Sequence, residues 1–326
     1  MSLLVPAIRP YWLPGINSVS GVVEKGLSGW MCDQEFQIYE SPLEDRFTLE
    51  VSEPMQLLRS FAADINRPAL ASFETINQIS RSDLLPKSAV WLVIKSYYAS
   101  YFAAHAIMRM LGTSFTQLTR QEIDAVNKIA KLLGIDTKLV NKGYFLCHFD
   151  VGSKKLTCLR EAKGTSGNHE MFWFVFVKQM KKLSEDLLNS KIGSFADNQF
   201  ASAKLTDLCD SLCRVPCSKG NWLSYIRNEV NYKQRMGVWF PYEETKSYYN
   251  SLFSAGGSWE ADAGSIGLLP EDDHSLRAFQ QTCNFIISLC RELVIDMESR
   301  CSVGKSFHAF GSIRLMNHLK QRRDQA

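Results

Sequence analysis

Lys95-Ser96-Tyr97-Tyr98-Ala99-Ser100-Tyr101-Phe102-Ala103-Ala104-His105-Ala106-Ile107-Met108-Arg109-Met110-Leu111-Gly112 is the stretch that decides the fold class. Together with the residues just before it, Trp91, Ile94, Tyr98, Tyr101, His105 and Met108 recur at steps of three and four. That spacing is one face of an α-helix. It predicts a helix over about 88–111, introduced by a Ser-Asp-Leu-Leu-Pro turn at 82–86 and stopped by Gly112 in the usual C-terminal manner. Ala99, Ala103, Ala104 and Ala106 offer small side chains where a second helix can approach closely.

Helical patterning continues on both sides. From about residue 55 the chain reads as helix, and Thr119 with Glu122 forms a capping box that opens a helix over 119–134. Further helices are expected at about 169–190, 203–214, 221–233 and 274–299, the last behind the acidic Glu271-Asp272-Asp273. Residues 150–168 and 254–269 read as loops, the former with a short strand pair. Residues 1–55 differ, with five prolines and short alternating runs such as Phe36-Gln37-Ile38-Tyr39 and Phe47-Thr48-Leu49-Glu50-Val51, which favour short strands and loops. The expected organisation is an N-terminal mixed α/β region (1–84), a helical domain with insertions (85–300) and a basic C-terminal helix (301–326).

Composition narrows the classes. With 326 residues, 45% of them hydrophobic and 11% aromatic, the chain can bury a large core and is not disordered in character. Its nine cysteines are scattered, and Cys147, Cys158, Cys283 and Cys290 lie in apolar surroundings, so they read as free thiols of a reducing, cytoplasmic compartment. The longest apolar run, Met171 to Val177, is far shorter than the ~20 residues of a membrane span. Neither a signal peptide nor a membrane association is expected. Phosphate-loop, dinucleotide-binding, zincin and nucleophile-elbow motifs do not occur.

One segment stands out chemically: Trp222-Leu223-Ser224-Tyr225-Ile226-Arg227-Asn228-Glu229-Val230-Asn231-Tyr232-Lys233. On a helix, Trp222, Ile226 and Val230 form a core stripe, while Arg227, Asn231, Asn228 and Tyr232 share the opposite flank. A guanidinium, two amides and a phenol together make a donor-rich surface suited to a phosphate. The alternative is a polar helix face whose arginine pairs with Glu229 or a backbone carbonyl.

This segment and the helix at 95–112 together resemble the HEPN superfamily, helical bundles that include many metal-independent RNases of toxin, phage-defence and RNA-guided CRISPR systems. The family hallmark is an arginine, often followed by Asn, then three residues and a histidine. Arg227 and Asn228 match it, and Tyr232 stands where the histidine belongs. The likeness covers roughly residues 85–300 and implies an elaborated HEPN-like bundle, mainly α. It implies a protein that acts on or binds RNA, a metal-independent endoribonuclease being one possibility, in a toxin or anti-phage setting. It also implies a homodimer with a composite site. Arg227 would hold the phosphate, with Asn228 and Asn231 orienting it. A phenol titrates near ~10 and an imidazole near ~6.5, so Tyr232 is a poor general base, and the resemblance implies binding more strongly than cleavage.

Other candidates surround this motif. His105 is either the missing base supplied from another helix or a core histidine satisfied by neighbouring hydroxyls. Lys233, Arg235 and Trp239 are candidate RNA contacts, with Trp239-Phe240-Pro241-Tyr242 and Gly143-Tyr144-Phe145-Leu146 read as exposed aromatics near turns. Cys209, Cys213 and Cys217 are four apart without a fourth ligand, and His148 with Asp150 has no partner motif, so no metal and no cofactor are expected. Competing readings are a degenerate, non-catalytic bundle docking a protein partner, such as an antitoxin or a defence complex, and nucleotide sensing at Arg227.

The net charge of +3 conceals segregation. Residues 202–240 hold Lys204, Arg214, Lys219, Arg227, Lys233 and Arg235 against three acids, and residues 301–326 carry an excess of four positive charges. Residues 255–275 hold five acids and neither Lys nor Arg. A basic surface near the Arg227 motif is therefore expected.

Overall fold

The structure, a computed structural model, describes residues 3–79, 89–135, 140–161, 167–239, 258–270, 273 and 275–324. In chain order its elements are Leu4–Ile8 (α1), Leu27–Asp33 (α2), Phe36–Ile38 (β1), Arg46–Val51 (β2), Pro54–Ile79 (α3), Val90–Met110 (α4), Thr113–Leu118 (β3), Arg120–Leu132 (α5), Gly143–Asp150 (β4) and Lys155–Arg160 (β5). Asn168–Asn189 (α6), Phe195–Leu212 (α7), Trp222–Asn231 (α8), Leu276–Ser299 (α9) and Ser312–Asp324 (α10) complete the set. The molecule is mainly helical, with one small sheet, as the patterning implied.

α4 is the hub. It packs against α3, α9, α8 and α6, and the four alanines expected to admit close neighbours are all buried. The stripe read from the sequence proves to be the wetter side of this helix. Trp91 is 46% exposed, and Ile94, Tyr98, Tyr101 and His105 are half-buried. The deeper face carries Val90, Val93, Tyr97, Ser100 and Ala104. A helix apolar around most of its circumference has several candidate stripes, and only its neighbours choose among them. Gly112 does stop the helix, at φ +76°, and a Cβ there would press on Leu13.

The five strands form one antiparallel sheet in the order β1-β2-β5-β4-β3. Alternation buries one face: Phe47, Leu49, Phe145, Cys147, Phe149, Leu156 and Cys158 are all inside, and Phe149 meets Phe61 of α3 at 6.1 Å. Strands from residues 36–51 and from residues 113–160 thus share one sheet, across the expected 84/85 division, and one hydrophobic core runs through both parts. The expected strand pair near 150–168 is the β4–β5 hairpin, displaced toward the N-terminus.

Several local readings need correction. Residues 1–55 hold two short helices, α1 and α2, besides the expected strands, and Arg9 after α1 reaches Asp296 of α9 at 2.7 Å. β3 follows Gly112 directly, where no strand was expected. α7 begins at Phe195 rather than 203, and the C-terminal helix begins at Ser312, behind a short 3-10 turn. The Thr119–Glu122 capping box forms as read. The turn at 82–86 lies outside the described residues.

Candidate phosphate-binding site at Arg227

α8 forms where expected, with Trp222, Ile226 and Val230 buried as its core stripe. Arg227, one position on from Ile226, is drawn in as well and is 7% exposed. Its guanidinium carbon lies 5.0 Å from the centre of the Tyr97 ring and 5.8 Å from that of Tyr232. Nη1 donates to the Tyr232 hydroxyl at 3.4 Å, and Nε has no partner among the described residues. Cation–π contacts stabilise such a charge by about 0.5–2 kcal/mol, far below the cost of removing it from water. Among the described residues no carboxylate forms an ion pair with Arg227.

The carboxylate once considered for it is engaged elsewhere. Glu229 is bound by Lys233 and by Arg235 at 2.8 Å, which holds its carboxyl below the usual range, the Lys233 hydrogen bond contributing most. The two cations read as RNA contacts are therefore shared with an acid, although their side chains reach into solvent. Arg214 is fully buried and donates to backbone carbonyls, and Lys204 reaches the Ile266 carbonyl at 3.5 Å. Four of the six cations around the motif are thus committed, Lys219 is exposed, and Arg227 is the one that is buried without a carboxylate or carbonyl partner among the described residues.

Tyr97, under Arg227, organises the other wall. Its hydroxyl accepts from Trp173 Nε1 at 3.2 Å and stands 2.9 Å from His169 Nδ1. Burial pushes this phenol up, so it stays protonated. His169 sits in the first turn of α6, half-buried, with its ring 4.5 Å from Tyr101 and 5.7 Å from Tyr97. Desolvation, with the Arg227 charge adding to it, pushes the imidazole down to about 4, so it is neutral at pH 7. Sequence reasoning missed His169, since a single histidine at a helix start has no spacing of its own. Its one signal is a position three and four residues before Phe172 and Trp173, on the aromatic face that meets the α4 tyrosines.

The sequence-predicted residues divide. Arg227 and Tyr232 are brought together, while Asn228 and Asn231 lie half-buried on the same helix. Tyr232, at the C-cap, is 71% exposed. His105 is tied to Arg109, whose Nη1 donates to His105 Nδ1 at 2.9 Å, and its ring stacks on Phe172 at 3.8 Å. Burial first, then the Arg109 charge, holds it well below the ordinary histidine range. Its Nδ1 lone pair is thus occupied by a guanidinium of its own helix, not by the neighbouring hydroxyls expected of a core histidine. Trp239 folds back, its Nε1 donating to the Val230 carbonyl at 2.9 Å; Phe240, Pro241 and Tyr242 lie outside the described residues.

Of the remaining aromatics, Phe145 is a core residue of β4, not a turn residue, and Tyr144 is half-buried beside it. Cys209 and Cys217 are buried, and desolvation pushes their thiols up to about 12 and about 11, against thiolate formation. Asp150 caps its own turn by accepting from Gly152 N and the Ser153 hydroxyl, and His148 lies beside the Thr113 hydroxyl. No helix among the described residues is long and apolar enough to cross a membrane.

Comparison with known proteins finds no matching family model, no similar curated protein and no similar solved structure.

Proposed function

We propose that this chain is a HEPN-like RNA-binding protein in which Arg227 holds a backbone phosphate. The observation that carries the reading is an arginine only 7% exposed, with a buried, unfilled Nε and no carboxylate partner among the described residues. Such a charge is better compensated by an anion from outside than by its aromatic neighbours. The matching Arg227-Asn228 pair and the tyrosine-rich, alanine-rich α4 beneath it support the family reading. The exposed Tyr232 leaves the site open to a ribonucleotide chain or to α8 of a second copy, in keeping with a homodimer. A toxin or anti-phage setting follows from the same resemblance, and a cytoplasmic one from the scattered free thiols.

A second reading is favoured by the side chain at 232. With a phenol in the histidine position and His105 engaged by Arg109, the motif lacks a basic imidazole of its own. A binding or docking module, rather than an RNase, is the version of the proposal that this chemistry supports best.

The test offers mixed single-stranded RNAs to the wild-type protein, to Arg227→Ala and to Tyr232→His. Wild type should bind RNA and cleave it weakly or not at all. Arg227→Ala should lose binding, and Tyr232→His should gain cleavage that needs no metal. RNA binding that survives Arg227→Ala overturns the reading.

A further inference from the structure

We propose that His169 is the second phosphate ligand of the Arg227 site, presenting its Nε2–H as a fixed neutral donor to a phosphate oxygen. The inference rests on the reading of Arg227 above and adds a group from a different helix. Two independent features point to it. The first is the unpartnered Nε of the buried Arg227, whose guanidinium and the His169 ring both lie against Tyr97. The second is that His169 occupies the first turn of α6, whose N-cap Gly167 supplies no side-chain acceptor, so the positive end of a 22-residue helix opens here.

The tautomer is part of the proposal. Trp173 Nε1 can only donate, so it takes one lone pair of the Tyr97 oxygen. The Tyr97 hydrogen is then assigned to His169 Nδ1, at 2.9 Å, rather than to Ser224, which also acts on this phenol. A neutral imidazole accepting at Nδ1 carries its proton at Nε2. That ring offers a donor and has no lone pair left for a ribose 2′-hydroxyl, so it binds a phosphodiester without activating a nucleophile. The Tyr97–Trp173 pair is a positioning device, setting which way the imidazole faces and which nitrogen is protonated.

The groups facing the ring are Tyr97, Tyr98, Tyr101 and His105 of α4 and Arg227 of α8. On its own helix, Asn168 donates to Tyr144, and Glu170 acts on Cys217. Burial, the larger cause, stays in place when an anion sits between His169 and Arg227, so the ring meets a phosphodiester near pH 7 as a neutral donor.

The experiment follows the imidazole of histidine-labelled full-length protein by NMR, with inorganic phosphate and then a short single-stranded RNA as probes. His169→Gln assigns the His169 signals and keeps a donor near Nε2. The free protein should show the Nε2–H tautomer, and inorganic phosphate should shift its signals. His169→Ala should bind RNA about 10- to 100-fold more weakly, as expected for loss of a hydrogen bond to a charged group, with His169→Gln recovering most of it. Tyr97→Phe should mix the two tautomers. A pure Nδ1–H tautomer, or His169 signals unmoved by phosphate, overturns the proposal. So does RNA binding that needs Arg227 and survives both His169 variants, and that outcome leaves the Arg227 reading standing. Phosphate shifts at His169 in a protein that binds no RNA would do the reverse.

Discussion

Arg214 precedes α8 and Arg227 lies within it, and both are withdrawn from water, yet their surroundings are opposite. Arg214, fully buried, donates to the carbonyls of Ser211, Leu269 and Asp273 and rests 4.5 Å from the Trp222 ring. Carbonyl dipoles from two chain segments solvate its charge, so it ties the end of α7 to the approach to α9. Arg227 faces two aromatic rings and a tyrosine hydroxyl, with Nε unfilled among the described residues. A cation whose donors are filled by backbone is a structural fastening; a cation with donors to spare is poised for a ligand. Residue type and spacing do not separate the two, because two of the three carbonyls that satisfy Arg214 come from residues 55 and 59 positions away.

The sharpest way to break this comparison is to remove each arginine. Arg214→Ala would leave three carbonyls, one buried and two part-buried, without their donor and should cost about 3 kcal/mol in urea unfolding. Arg227→Ala leaves no buried carboxylate exposed and should cost less than about 1.5 kcal/mol, while lowering RNA affinity at least about tenfold. Equal destabilisation by the two substitutions would erase the distinction.

A smaller effect should appear in acid. His169, down at about 4, binds its proton later in the folded than in the unfolded chain, as does buried His308, pushed by desolvation to about 3. The unfolded state therefore binds more protons below pH ~6.5, and stability should fall as pH drops from there toward about 4, and hold above it. Each neutral histidine contributes at most about 1.4 kcal/mol per pH unit, and His169 less, because its ring is partly open to water. His169→Gln should flatten the stability-against-pH curve of the wild type, whereas Arg214→Ala should lower the curve without changing its slope. The smallest effect belongs to Tyr232→Phe, which removes one long, part-buried hydrogen bond and should leave stability within about 0.5 kcal/mol.

Much of the architecture was legible because it is written in local pattern. The α8 stripe of Trp222, Ile226 and Val230, the Thr119 capping box and the alternation of β1 and β2 each need only neighbours in sequence. What escaped depends on partners far along the chain. β3 follows a helix stop with few strand-like residues, and it exists because β4, some thirty residues later, pairs with it. The buried face of α4 is chosen by α3 and α9. Of the candidate site, Arg227 and Tyr232 could be named from spacing, but the pairing of Glu229 with Lys233 and Arg235 was hidden among several possible pairings, and His169 had no pattern at all.

The strand order β1-β2-β5-β4-β3 also governs how the chain can be made. β5, the last strand in sequence, lies between β2 and β4, so β2 has no partner on that side until residues 155–160 exist. At ribosomal rates of about 5–20 residues per second, the roughly 100 residues separating β2 from β5 take about 5–20 s to appear. During that interval Phe47, Leu49 and Val51 belong to a two-stranded ribbon with an open edge, the kind of surface that invites pairing with another nascent chain. The uncovered edge of β2 during synthesis is a place where this sheet is open to pairing with a neighbouring nascent chain.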